Sequence, residues 1–157
     1  MMALVWAVIG IGLVAALLFG GTSLFNTSSA TLSQVKDNST SAFQGMASAY
    51  QAYINANDIP PTTADWETEL IPGYLTELKL PIPSTTWSYG YDATFGYYFC
   101  LSGSMNQTSW DGLAAAAGNY PANSYYQNVT SCTTRSTSTK PSSWPTTVYV
   151  TYWLRGS

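Results

Sequence analysis

From Met1 to Gly21 every residue is apolar or glycine (MMALVWAVIGIGLVAALLFGG). A helix of about 20 such residues, at about 1.5 Å each, spans the roughly 30 Å hydrocarbon core of a bilayer. No basic residue precedes the run, as one would in a secretory signal peptide, so a retained hydrophobic segment fits better. Thr22 to Ala30 is mostly small and polar. A helical period then sets in. Leu32, Val35, Phe43, Met46, Ala47, Tyr50, Tyr53 and Ile54 recur largely three and four apart, with Ser33, Gln34, Lys36, Asp37, Asn38, Gln44 and Gln51 between them. This spacing predicts one long helix over 1–57, apolar all round in its first half and one-sided in its second. Pro60 and Pro61 cannot continue it. Gly10, Gly12, Gly20, Gly21 and Gly45 weaken it, and the pair Gly20-Gly21 is the predicted kink or melted point.

After Pro61 the period changes. Asp65 to Leu70 (DWETEL) predicts a short helical turn with acidic residues near its start. Thr86-Trp-Ser-Tyr-Gly-Tyr and Phe95-Gly-Tyr-Tyr-Phe-Cys-Leu alternate aromatic with small residues, which predicts a hairpin closed through Asp92-Ala-Thr. Thr146 to Leu154 (TTVYVTYWL) is the clearest strand, with Val148, Val150 and Tyr152 on one side and Tyr149, Thr151 and Trp153 on the other. Residues 102–145 read as loop, apart from a helical patch over Asp111 to Ala117. The predicted class is α+β: a long N-terminal helix (1–57, with 1–21 as its hydrophobic assembly or transmembrane segment) packed on an antiparallel head domain (58–157).

Composition narrows the chemistry. Only 8% of the 157 residues are charged and the net charge is −3, with none of the charges in residues 1–35. A nucleic-acid binder needs a basic stripe, so nucleic acid is not an expected partner. The absence of histidine removes His-based general bases, Ser-His triads and His-ligated metals. Asp58, Asp65, Glu67, Glu69, Glu77, Asp92 and Asp111 are scattered, and no glycine-rich phosphate loop or serine elbow is present. No enzyme activity, cofactor or metal is expected.

As an architecture, the whole chain resembles a mature type IV pilin of the type IVb kind. The likeness rests on Met1 as first residue without a leader and on the apolar stretch Met1–Phe19 feeding a long helix. It rests also on the helix exit Tyr50-Gln-Ala-Tyr-Ile-Asn-Ala-Asn-Asp-Ile-Pro-Pro, on the aromatic strand Phe95-Gly-Tyr-Tyr-Phe, and on two cysteines in the C-terminal half. One position departs from the family pattern: the fifth mature residue is usually glutamate and here is Val5. That glutamate is thought to pair with a neighbour's free amine, and an unpaired ammonium in an apolar core is costly. The resemblance implies N-terminal methylation at Met1 and a filament core built from Met1, Leu4, Val5, Trp6, Ile9, Leu13 and Leu17. It implies a Cys100–Cys132 disulfide. It also implies a homo-oligomeric helical filament outside the cell, drawn from the inner membrane and able to meet a host or surface receptor.

Residue chemistry leads the same way. About 20 apolar residues exposed to water are penalised at roughly 25 cal/mol per Å², and lipid or a bundle of like helices relieves that. Small residues Ala3, Ala7, Gly10, Gly12, Ala15 and Ala16 allow helices to approach closely. Two cysteines in an exported chain are expected to pair, the alternative being two buried thiols. Bridging about 33 residues constrains the unfolded chain by roughly 3.5–4 kcal/mol. Two alternatives stay open: a minor pilin or secretion pseudopilin, which Val5 favours, and a single-span anchor carrying an extracellular binding domain. Residues 131–147 are dense in Ser and Thr, a composition associated with O-linked sugar, and Asn26, Asn38, Asn106 and Asn128 each begin an N-x-Ser/Thr sequon. The aromatic share of 15% suits either a strand-rich core or a contact surface.

Overall fold

The computed structural model describes residues 27–154, with side chains from Thr31 onward. The chain divides into two compact units, 1–31 and 32–157, and the sheet and the later part of the long helix belong to the second. Helix α1 covers Thr27–Asn57. Val35, Ser39, Phe43, Met46, Ala49 and Tyr50 are buried along it, a stripe that keeps the three-and-four spacing. The helix stops before its prolines. Asp58 turns into the left-handed region (φ 58°), and its N–H reaches the Ile54 carbonyl at 2.8 Å.

Helix α2 is one short turn, Trp66–Leu70, that buries Trp66 and Leu70. The Glu69 carboxylate accepts from the Thr62 N–H at 2.7 Å and its hydroxyl at 3.1 Å, tying the approach segment to that turn. Strands β1 (Thr85–Asp92) and β2 (Gly96–Met105) form the expected hairpin. Asp92 Oδ1 accepts from the N–H groups of Thr94 (2.8 Å) and Phe95 (3.1 Å), and Gly96 supplies the positive φ of 87° that closes the turn.

The expectation of a long loop over 102–145 is corrected here. Strand β2 continues to Met105. Asn106 then accepts from the Ser109 N–H at 2.8 Å and caps helix α3, Gln107–Ala116, which a 3-10 turn follows at Ala117–Asn119. Strand β3 occupies Tyr125–Asn128, and β4 occupies Thr146–Trp153. The order is β1-β2-β4-β3, antiparallel throughout. Local pattern hid β3 because it is four residues long and its buried positions include Gln127 and Asn128.

The register sorts the side chains. Tyr89, Phe99, Tyr152 and Tyr125 share one row across the sheet and point to the α1 face, as do Trp87, Leu101, Val150 and Gln127 in the next. Phe43 of α1 inserts there, with ring centroids 4.7 Å from Trp87, 5.8 Å from Tyr125 and 6.2 Å from both Tyr120 and Tyr152. Tyr50 meets Tyr89, Tyr97 and Phe99 about two turns later. Helix α3 lies on this same face: the Tyr125 hydroxyl donates to the Leu113 carbonyl (2.9 Å) and Gln127 Nε2 to the Trp110 carbonyl (3.0 Å). It approaches α1 so closely that a Cβ on Gly112 would fall 2.7 Å from Val35 Cγ1.

Candidate functional site

The opposite face of the sheet carries Ser88, Tyr98, Cys100, Thr151, Trp153, Tyr126 and Asn128. The segment after β3 folds back across it. Asn128 starts the turn, its Oδ1 accepting from the N–H groups of Thr130 (2.9 Å) and Ser131 (3.0 Å). The chain then passes over β4 and joins β2 through a disulfide between Cys100 and Cys132, with Cα atoms 5.7 Å apart. Buried Thr151, directly beneath, donates its hydroxyl to the Cys132 carbonyl at 2.7 Å. The pairing expected from the resemblance is therefore present. The bridge sits in mid-sheet rather than at a loop rim.

Beyond the bridge, Arg135 fixes the segment electrostatically. Its guanidinium lies 4.0 Å from the Phe95 ring centroid, 5.2 Å from Trp153 and 5.5 Å from Tyr126, and its Nη2 donates to the Asn123 carbonyl at 3.1 Å. The Ser138 N–H reaches the Gln127 carbonyl on the outer edge of β3 (2.9 Å), and Lys140 Nζ meets Asp111 of α3 at 2.7 Å. Residues 129–145 thus form an irregular band stapled at a disulfide, a cation–π cluster, a backbone bond and an ion pair. Arg135 escaped sequence reasoning and Thr151 was placed only on its strand face, because their partners lie far away along the chain.

A second concavity, a groove of about 670 Å³, runs between α1 and the segment 75–81, lined by Asn38, Ala42, Met46, Leu75, Leu78 and Leu80 among others. Among the described residues no group of three His, Cys, Asp or Glu side chains could hold a metal. Several carboxylates have structural partners: Glu69 binds Thr62, Asp92 the hairpin turn, Asp111 Lys140, and Glu77 pairs with Lys79 at 3.5 Å.

Among the described residues, the titrating groups that depart from ordinary behaviour are tyrosines, most of them in the core. Burial pushes Tyr120 up to about 12 and holds Tyr125, Tyr89 and Tyr50 above their usual value. Of these, Tyr120 and Tyr125 supply packing with hydroxyls that reach backbone, donating to the Thr40 carbonyl at 3.2 Å and the Leu113 carbonyl at 2.9 Å.

Of the residues singled out in the sequence, Cys100 and Cys132 are brought together. Met1, Leu4, Val5, Trp6, Ile9, Leu13, Leu17, Gly20 and Gly21 lie outside the described residues, as does the hydrophobic segment 1–21. Among the described residues no helix is long and apolar enough to cross a membrane. No family model, curated protein or solved structure matches the chain.

Proposed function

We propose that this chain is a structural subunit of a type IV pilus-like filament, held in the inner membrane before assembly and displayed outside the cell afterwards. The observation that carries the reading is the pairing of two features. The stripe of α1 from Val35 to Tyr50 is consumed by the sheet, and the sequence before it is an uncharged apolar run that needs lipid or like helices around it. A head-to-tail contact that does not close gives a helical filament, which serves attachment, aggregation, motility or DNA transfer. The disulfide supports export to an oxidising compartment.

Val5 favours a second reading, a minor pilin or pseudopilin incorporated in small numbers. Electron microscopy of filaments sheared from the producing cells, with mass spectrometry of their subunits, separates the two. Uniform fibres made mainly of this 17.0 kDa chain are expected. Trace amounts beside another subunit would establish the minor role, and absence from any fibre would leave a membrane-anchored binding domain.

A further inference from the structure

We propose that the outer band is a site of O-linked glycosylation, with Ser136, Thr137, Thr139, Ser142 and Ser143 as the acceptors. All five side chains are exposed on backbone that is neither helix nor strand. None of their hydroxyls has a hydrogen-bond partner among the described residues. Some hydroxyls elsewhere in the fold are committed: Ser84 donates to the Ser104 carbonyl, Thr85 to Ile82, Thr68 to Asp65 and Ser124 to Pro121. Within the band itself, Ser131 is engaged with Thr133 and Thr134 close to the bridge, whereas the run of hydroxyls past Arg135 is free.

A transferase needs an accessible hydroxyl on a segment it can grip in extended form, and Pro141 and Pro145 disfavour helix around these residues. The staples at Arg135, Ser138 and Lys140 keep the segment at the surface without using the acceptor oxygens. The surface also lacks the usual source of hydration. Charged residues are 8% of the chain, against about 25% in an ordinary soluble domain. Sugar hydroxyls on this band would supply water-binding groups without adding charge.

In the reaction, the Ser or Thr Oγ attacks the anomeric carbon of a sugar carried on a nucleotide or polyprenyl diphosphate. The new C–O bond replaces the bond from that carbon to phosphate. The diphosphate departs with its electron pair, and the hydroxyl proton passes to a base of the transferase. The proposal requires export but not polymerisation, so it stands or falls separately from the filament.

N-linked attachment fits the described sequons less well. Asn128 is fully buried and its amide is engaged on both sides, with Nδ2 donating to the Thr134 carbonyl. Asn106 is occupied as the cap of α3, and Asn38 sits on the body of α1 beside the groove.

The test is mass spectrometry of the chain purified from the cells that make it. Trypsin cuts after Arg135 and spares the Lys140-Pro141 bond, so residues 136–155 leave as one peptide. That peptide is expected to exceed its sequence mass by whole sugar residues and to lose the excess on alkaline β-elimination. Replacing all five acceptors (Ser136→Ala, Thr137→Ala, Thr139→Ala, Ser142→Ala, Ser143→Ala) should abolish the excess, with the Cys100–Cys132 bridge and the near-UV circular dichroism unchanged. A peptide at its sequence mass overturns the proposal. So does sugar found only on asparagine, or an excess that survives the five substitutions.

Discussion

At the scale of single residues, the end of α1 shows how the chain overrides its obvious punctuation. The prolines at 60 and 61 set an outer limit, but the helix is finished by Asp58 at φ 58°. An L-residue with a Cβ is disfavoured there, and a carboxylate at a helix C-terminus opposes the dipole. Asp58→Gly is therefore expected to stabilise the fold by about 0.5–1 kcal/mol, with the larger backbone entropy of glycine in the unfolded chain limiting the gain. Urea unfolding of the two proteins side by side measures it, and a lower midpoint for the glycine variant would contradict the strain argument. A subtler residue is Ser39, fully buried on the stripe with no partner for its hydroxyl among the described residues. The periodic set read from sequence leaves it out, because the pattern counts apolar side chains and this position is filled by a small polar one.

At the scale of elements, legibility followed how locally each element is determined. The second half of α1 and the β1–β2 hairpin carry their burial as a period in the sequence, and both form where that period predicts. Helix α3 was half visible. Its buried residues Trp110, Leu113 and Ala116 keep helical spacing, but its start depends on the Asn106 cap. Strand β3 was invisible because Gln127 and Asn128 are satisfied by the Trp110 carbonyl and by the turn after the strand, bonds that no window of neighbouring residues contains. The candidate site was legible only as two cysteines and a Ser/Thr-rich stretch. The contact of α3 with α1 gives a test at this scale. Alanine at Gly112 gains up to about 1 kcal/mol of helix propensity, but its methyl would press on Val35 Cγ1 and Cβ and approach the Leu32 carbonyl at 3.0 Å. Overpacking of this kind costs about 1–3 kcal/mol, so Gly112→Ala should be net destabilising by about 1–2 kcal/mol. Adding Val35→Ala removes one of the opposing atoms and should recover part of the loss in a double-mutant cycle. Strictly additive losses would show that the two positions do not press on each other.

At the scale of the whole molecule, the aromatic core sets an alkaline limit. Tyrosine in an unfolded chain ionises near pH 10, whereas burial holds Tyr120 protonated to about 12 and Tyr125 beyond its ordinary range. Below about pH 10 both states keep these protons, and the stabilisation is fully present. As pH rises further the unfolded chain releases protons that the native one retains, so stability falls, by about 1.4 kcal/mol per pH unit for fully buried Tyr125. Thermal midpoints should drop steeply between about pH 10 and 12, and the phenolate absorbance of the buried rings should grow in together with unfolding rather than ahead of it. A different limit comes from the arrangement around β4. The covalent ring closed between Cys100 and Cys132 runs along β2, under β4 as α3, back up β3, and over β4 through the bridge. The last strand is thus a thread through an eye, with Tyr149, Tyr152 and Trp153 too bulky to slip through it easily. Order of events then matters: before the sulfurs join, β4 can be laid between β2 and β3 directly, whereas a chain oxidised first must pass its final strand through the closed ring before it can pair. Once assembled, a pull along β4 must shear its ladders to both β2 and β3 and then drag its aromatic side chains through that covalent ring.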